Sequence, residues 1–287
     1  MKKIGLISNN KNLKAIRIAK QIYDYLIEKK IDVFLLANDT MPSKFNLPAV
    51  SILELSKNID ALISVGGDGT FLRASRYCFE NEIPIMGINV GKLGFLAEIN
   101  IKDFKIAIDN LIEGNYKIDE RMLLELSIIR NGNIITFSKN PIVALNEFVI
   151  SRIIDGKILD FEIIVNNFNF YEFRSDGIII STPTGSTAYS LSAGGPIVEP
   201  TNQAIIITPL SAHSLFSRSI IISPKNNIKI ALKTKNKDDF LSSDGIRVNI
   251  ELKKGDLLEF KKSRLNLKLI TFDDNIFFKV FKEKLFK

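Results

Sequence analysis

The residues best suited to chemistry sit in one short turn, Val65-Gly66-Gly67-Asp68-Gly69-Thr70, a lone carboxylate among glycines at the end of an apolar run. Glycines bring bare backbone N–H groups close to phosphate oxygens and tolerate positive φ, and the N-terminus of a following helix favours anions. Phosphoryl transfer is served mainly by positioning, a metal ion and a carboxylate that accepts the attacking hydroxyl's proton, and Asp68 can be that carboxylate. The competing reading is a tight turn in which Asp68 or Thr70 caps the next helix. The segment is not a Walker loop. Its nearest imitation, Gly87-Ile88-Asn89-Val90-Gly91-Lys92-Leu93, has three residues between the glycines where four are needed, and leucine in place of the magnesium-binding Ser or Thr. Gly91-Lys92-Leu93-Gly94-Phe95 reads either as a second substrate loop or as a plain strand-to-helix connection.

Two later clusters offer polar groups. Asn146-Glu147 ends the apolar run Ile142 to Leu145; an amide beside a carboxylate suits a ribose or a metal, and a solvated strand end is the plainer reading. Adjacent strand residues face opposite sides, so only one of the pair points into a given pocket unless the backbone twists. Further on, Arg174-Ser175-Asp176-Gly177 and the run Ile178 to Ile180 lead into Ser181-Thr182-Pro183-Thr184-Gly185-Ser186-Thr187-Ala188-Tyr189-Ser190-Leu191-Ser192. Few structural demands call for so many small hydroxyls, which offer donors and acceptors to sugar, amide and phosphate groups, and Tyr189 adds a face on which a base can stack. A serine-threonine loop capping a helix is the alternative. The single cysteine, Cys78, excludes an internal disulfide and a cysteine-cluster metal site, and its apolar neighbours suit a buried structural thiol.

The elements that must hold these residues follow from periodicity. Ile4 to Ser8, Ile31 to Leu36, Ala61 to Val65 and Pro84 to Asn89 read as buried strands. They alternate with helices at Leu13 to Lys29, about Phe71 to Phe79, and Asp103 to Glu113, the last closed by Gly114. A polar loop with Pro42 and Pro48 lies between the second strand and the third. Alternation of this kind predicts a parallel sheet covered by helices. After residue 115 the texture becomes extended segments joined by short turns: Met122 to Arg130, Ile134 to Phe137, Ile142 to Ile150, Ile158 to Val165, Tyr171 to Ile180, Ile205 to Thr208, Ile220 to Ser223, Ile228 to Leu232 and Leu257 to Phe260. Asn131-Gly132 marks a two-residue hairpin. A strand at Leu265 to Phe272 and an amphipathic helix at Asp274 to Leu285 close the chain. The fold class is thus an α/β N-terminal domain with a parallel, Rossmann-like sheet over residues 1–115, completed by 265–287, plus a mainly antiparallel β-sandwich domain over 116–264.

Composition bounds the function classes. The 287 residues, 46% apolar and 25% charged, suit a folded chain with one large domain or two ordinary ones. The net charge of +7 is spread along the chain and interrupted by acids, as in Lys282-Glu283-Lys284, so it reads as a solvated basic surface that welcomes an anionic nucleotide, with no nucleic-acid face. No run of eighteen apolar residues occurs, and Met1-Lys2-Lys3 leads straight into a strand without a secretory cleavage pattern, so a cytoplasmic location and no membrane partner are expected.

The three polar stretches, in this order, closely resemble the NAD kinase family, enzymes that phosphorylate the adenosine-ribose 2′-hydroxyl of NAD. Gly66-Gly67-Asp68-Gly69-Thr70 alone resembles a wider superfamily that includes diacylglycerol and sphingosine kinases and, more remotely, phosphofructokinases. Asn146-Glu147, Asp176-Gly177, Thr184 to Ser190 and Pro209-Leu210-Ser211-Ala212-His213-Ser214-Leu215 with Arg218 resemble the NAD kinase versions. The resemblance implies two domains with a substrate cleft between them, Asp68 as general base, and Gly69 and Arg73 beside the dinucleotide. It also implies that Asn146 and Glu147 contact the adenosine and phosphate part, with Lys157, Arg174, Asp176, Thr187, Ala188, Tyr189 and Ser192 lining the same site. ATP with Mg²⁺ as the donor pair, NAD as substrate and a homodimer or homotetramer come with it. Three positions depart from the pattern: Ala212 and Ser219 stand where proline is general, and Ile246 where a nucleotide-contacting glutamine is common, which leaves Ile246 outside the site. A lipid or sugar kinase sharing only the first motif, and a dinucleotide sensor without catalysis, are the alternatives.

Overall fold

Short apolar runs bounded by turn residues become strands, and stripes at helical spacing become the helices that cover them. The computed structural model describes residues 1–135, 141–152, 157–212, 218–234 and 239–286. The chain divides into two units, Met1–Glu120 with Leu265–Lys287, and Arg121–Arg264. His213, Ser214 and Leu215, and Phe137 of an expected strand, lie outside the described residues.

The first unit runs β1 (Lys3–Ser8), α1 (Leu13–Glu28), β2 (Asp32–Leu35), α2 (Thr40–Phe45), α3 (Ile52–Asn58), β3 (Ala61–Gly66), α4 (Asp68–Ser75), β4 (Ile85–Asn89), β5 (Ile99–Asn100) and α5 (Phe104–Glu113). β1 pairs in parallel with β2 on one side and β3 on the other, and β4 lies parallel beyond β3. β3 and β4 are buried along their whole length. Covered on both faces, such strands read as unbroken apolar runs. α1 lays Ile16, Ala19, Ile22 and Leu26 into the core, and Asn12 caps it by accepting the N–H groups of Lys14 and Ala15. Gly114 ends α5 in the left-handed region, φ 84°. Two expectations need correction. The segment read as a loop between β2 and β3 holds two short helices, α3 being opened by a Ser51–Glu54 capping box. The helix after the glycine-rich turn begins at Asp68 itself and ends at Ser75, where Phe71 to Phe79 was expected.

The chain continues through β6 (Lys117–Arg130), β7 (Asn133–Ile135), β8 (Ile142–Ala144), β9 (Glu147–Ser151), β10 (Leu159–Val165), β11 (Phe168–Ser175), β12 (Gly177–Ser181), α6 (Tyr189–Ser192), β13 (Ile205–Leu210), β14 (Ile220–Ile222), β15 (Ile228–Leu232), β16 (Phe240–Ser243), β17 (Ile246–Arg247) and β18 (Leu257–Thr271), and returns to the first unit in α7 (Ile276–Leu285). Leu269 of β18 pairs in parallel with Ile85 of β4 inside the first unit.

Within the second unit one antiparallel sheet has the order β14-β13-β12-β9-β16-β17. Another joins β11, β10, β15 and the first half of β18. Phe148, Ile178 and Ile180 from the first sheet and Phe161, Ile228 and Phe260 from the second share one core. The Phe148 and Phe260 rings meet in it, centroids 5.5 Å apart. Asn131 (φ 51°) and Gly132 (φ 77°) form the expected two-residue hairpin between β6 and β7. The run Ile142 to Ile150 breaks into two strands, and so does Tyr171 to Ile180, whose halves belong to different sheets. The two strands expected between Leu257 and Phe272 are one, and β16 and β17 were not read at all. Among the described residues no helix is long and apolar enough to cross a membrane.

Candidate active site

Because β2 and β3 lie on opposite sides of β1, strand order reverses between β1 and β3. In open α/β sheets, ligands bind outside the carboxyl ends of the strands at such a reversal. The loops after these two strands are Asn9-Asn10-Lys11 and the Gly66-Gly67-Asp68 turn. A pocket of about 380 Å³ is lined there by Asn9, Asn10, Lys11, Gly67, Gly69, Thr70 and Arg73. Its glycines differ in what they are for. A Cβ at Gly66 would sit 2.4 Å from Thr70 Oγ1, so the turn itself demands glycine there, whereas a Cβ at Gly67 or Gly69 meets nothing within 4 Å. Neither has positive φ, so the conformational reason expected from sequence does not apply, and what glycine preserves at 67 and 69 is open space over the backbone.

Asp68 caps no helix. Its carboxylate accepts three backbone N–H groups from the loop after β4: Phe95 on Oδ2 at 3.0 Å, and Leu96 and Ala97 on Oδ1 at 3.1 and 3.0 Å. The fit is close enough that a Cβ on Gly94 would lie 1.9 Å from Oδ1. The two glycine-bearing motifs are therefore one device: the 94–97 loop fixes the carboxylate, and Oδ1 has both lone-pair directions filled. Arg73, one turn along α4, reaches back to Ser8 O at 2.7 Å and to Asp39 Oδ1 at 3.5 Å. Burial pushes Asp39 above its usual carboxylate range, an effect opposed by the Ser8 N–H and by Arg73.

In the second unit a pocket of about 540 Å³ is lined by Glu147, Val149, Ser151, Tyr189, Phe240, Ser242, Gly245 and Arg247. The break between β8 and β9 that presents Glu147 is held from the β16–β17 turn. Asp244 accepts the N–H groups of Leu145, Asn146 and Glu147 at 2.9, 2.7 and 3.2 Å, and its own N–H returns to Glu147 O at 3.0 Å. Asn146 and Glu147 are buried, 8% and 6% exposed, so the reading as a solvated strand end does not hold. Glu147 Oε2 is buried without a hydrogen-bond partner among the described residues. An orphan acceptor on a pocket wall is rare in native proteins and marks a place for a donor.

Burial, followed by the nearby charge of Asp244, pushes Glu147 from 4.5 up to about 8, with the Tyr189 N–H pulling the other way. A carboxyl whose folded value is raised keeps its proton longer in the folded state. Its contribution to stability is intact below about pH 4.5 and is lost as pH climbs from there to about 8. Glu147→Gln, neutral throughout, is expected to melt with wild type at pH 5 and about 3 °C or more above it at pH 8.5. Thermal melts at the two pH values check this, and an unchanged difference between them refutes it.

Comparison with known proteins covers both units. The ATP-NAD kinase N-terminal domain model matches residues 4–116, and the ATP-NAD kinase C-terminal domain model matches 145–272. The chain belongs to the NAD kinase family. It is 37% identical to the NAD kinase of Thermoanaerobacter sp. (strain X514) over 288 residues, covering 99% of each chain. It is 36% identical to that of Ruminiclostridium cellulolyticum, covering 100% of this chain and 99% of the relative. Two solved structures share the fold at 23% identity. One is yeast NADH kinase complexed with NADH, with TM-score 0.88 and coverage of 100% of this chain and 87% of that one. The other is an NAD kinase from Archaeoglobus fulgidus in complex with ATP, with TM-score 0.75 and coverage of 99% and 98%. The α/β and antiparallel β architecture expected from sequence is thus that of the NAD kinase fold.

In this NAD kinase family member the remaining candidates lie as follows. Gly69 and Arg73 line the pocket beside Asp68, and Glu147 and Tyr189 line the second pocket. Thr187 and Ala188 are half-buried in the turn leading to Tyr189, and Ser192 is exposed at the end of α6. Asp176 holds Arg152 Nε at 2.6 Å where β11 gives way to β12. Arg174 pairs with its cross-strand neighbour Asp160 at 2.8 Å, and Lys157 is exposed ahead of β10.

Many hydroxyls of the Ser/Thr stretch prove to be structural. Thr182 Oγ1 donates to Leu145 O at 2.5 Å, Ser181 Oγ to Asn146 O at 3.2 Å and Ser186 Oγ to Pro183 O at 2.6 Å, while Ser190 meets Thr208. Thr182 and Ser181 thereby hold the loop against the Asn146-Glu147 break. The same closeness explains Gly185, where a Cβ would fall 2.1 Å from Asn146 O. Sequence reasoning missed Asp244, Phe240 and Arg247. The Asp244-Gly245 pair, at φ 49° and 73°, was a hairpin signal that could have found them. Ile246 is exposed on β17 and is not among the lining residues.

Among the described residues no group of three or more His, Cys, Asp or Glu could hold a metal, and Asp68 is already engaged by N–H donors.

Proposed function

We propose that this chain transfers the terminal phosphate of ATP to the 2′-hydroxyl of the adenosine ribose of NAD, forming NADP, with Asp68 as general base. The observation that carries the proposal is the clamped carboxylate of Asp68, whose chain neighbours Gly67 and Gly69 line the pocket at the strand-order reversal although the fold itself does not require glycine there. Family membership supports the substrate pair: the relatives are NAD kinases, and the solved neighbours hold NADH and ATP.

The chemistry follows from the acceptor capacity of the carboxylate. Oδ1 is filled by Leu96 and Ala97, while Oδ2 accepts only Phe95 from the backbone. The ribose hydroxyl donates to Oδ2, its oxygen attacks the γ-phosphorus, and the bond from that phosphorus to the bridging oxygen of the β-phosphate breaks. ADP leaves and the hydroxyl proton stays on Asp68. Mg²⁺ on the nucleotide supplies neutralisation of phosphate charge. Asn146, Glu147 and Tyr189 are contacts of the adenosine part, to which Glu147 Oε2 offers an unmet acceptor. Lys157, Arg174, Asp176, Thr187, Ala188 and Ser192 are the remaining contacts of the dinucleotide. A homodimer or homotetramer in the cytoplasm completes the proposal.

The test is an acceptor screen of purified protein with ATP and magnesium against NAD, NADH and diacylglycerol. NADP or NADPH is the expected product. Phosphorylated diacylglycerol alone makes the chain a lipid kinase, and NAD binding by calorimetry with no product makes it a sensor.

A further inference from the structure

The last helix brings a cation to Asp68. Phe277, at the start of α7, packs on Phe95 with ring centroids 5.8 Å apart, and Phe281 stacks on Phe277 at 6.1 Å. Lys284, two helical turns beyond Phe277, carries its Nζ over the same Phe95 ring, 4.7 Å from the centroid. Residues seven apart share a helical face. Phe95 is thus gripped by both ends of one face of α7 while its own N–H donates to Asp68. From this perch Lys284 Nζ lies 3.5 Å from Asp68 Oδ2, with the two side chains 35% and 34% exposed.

The position matters because of charge. A carboxylate that takes a proton from the acceptor hydroxyl must sit near the triphosphate of the donor, and two anions in one site repel. Arg73 is bonded to Ser8 O and paired with Asp39, away from the carboxylate of Asp68. Lys284 faces that carboxylate on Oδ2, the oxygen with acceptor capacity left. An ion pair this long and this solvated is weak, and an ammonium offers three donors on a flexible stem. It can therefore pass to a stronger anion at little cost.

We propose that Lys284 is a phosphate-binding residue: as ATP enters, its ammonium moves from Asp68 Oδ2 to an oxygen of the γ-phosphate, holding the group to be transferred and leaving Oδ2 to the acceptor hydroxyl. This rests on the reading of Asp68 as the base of phosphoryl transfer.

Lys284→Met keeps an unbranched apolar stem over Phe95 and removes the charge, whereas Lys284→Arg keeps the charge. ATP dissociation constants measured by calorimetry without acceptor, steady-state kinetics and thermal melts are compared for both variants and wild type. K284M is expected to weaken ATP binding and raise the KM for ATP about tenfold or more, as loss of a hydrogen bond to a charged group does. Its KM for NAD should stay within about twofold and its melting temperature should match wild type, while K284R recovers most of the ATP affinity. Wild-type ATP parameters in K284M overturn the proposal, as do equal losses in K284M and K284R with lowered melting temperatures, which would mark a structural role. Should K284M fail to fold, Lys284→Gln carries the same comparison. If wild type makes no NADP, the function proposed above fails, and the calorimetric ATP comparison still decides the role of Lys284.

Discussion

Asp68→Asn is expected to lower the rate of the chemical step by about 10² to 10⁴, the usual worth of a positioned general base, with NAD affinity largely kept. The clamp shapes this variant in a way size alone does not. Oδ1 meets two N–H donors and Oδ2 meets Phe95 N–H with the Lys284 ammonium 3.5 Å away. An amide can leave its oxygen with Leu96 and Ala97, but its NH₂ then points donors at the donors of Phe95 and Lys284. Some loosening of the 94–97 loop should accompany the loss of the base. Single-turnover formation of NADP in a rapid-quench experiment, read with a thermal melt, separates the two effects. A slow chemical step with a near-normal melt is the expected result. Wild-type turnover in this variant would reduce Asp68 to a loop anchor.

Gly69→Ala is expected to separate stability from activity. Gly69 is the second residue of α4, its φ is ordinary, and a Cβ there touches nothing within 4 Å. Alanine in a helix is favoured over glycine by roughly 0.5–1 kcal/mol, so the variant should melt at or slightly above the wild-type temperature. The added methyl nevertheless intrudes on the pocket that Gly69 lines. Displacing a reactant by an ångström can cost about 10²-fold, and kcat/KM should fall by about 10 to 10². Full activity with raised stability would mean that no ligand approaches the backbone at 69, and the argument from the two unconstrained glycines would fall with it.

How much of this was legible in the chain depends on the range of the forces involved. β1, β3 and β4 announce themselves because strands covered on both faces need an unbroken apolar run. The Gly66 to Thr70 turn is just as visible, since its ingredients are adjacent. Its partner is not. The N–H groups that fix Asp68 belong to residues 27 to 29 positions later, and a backbone donor leaves no mark in side-chain type. The break between β8 and β9 was likewise hidden inside one extended segment, Ile142 to Ile150, because the carboxylate that holds it, Asp244, lies about a hundred residues away. The Ser181 to Ser192 stretch misled for the opposite reason: hydroxyls that satisfy buried carbonyls at 145 and 146 have the same composition as hydroxyls that bind a sugar. In α2, part of the segment expected as a polar loop, Pro42 sits in the first turn, where its missing N–H costs nothing.

A crystal structure of the chain with NAD bound tests the assignment of Asp68 most directly. The adenosine-ribose 2′ oxygen should lie within about 3.5 Å of Asp68 Oδ2, in hydrogen-bond reach of the proposed base. A complex in which that oxygen is far from Asp68, or in which a different hydroxyl of the dinucleotide takes its place, would contradict it.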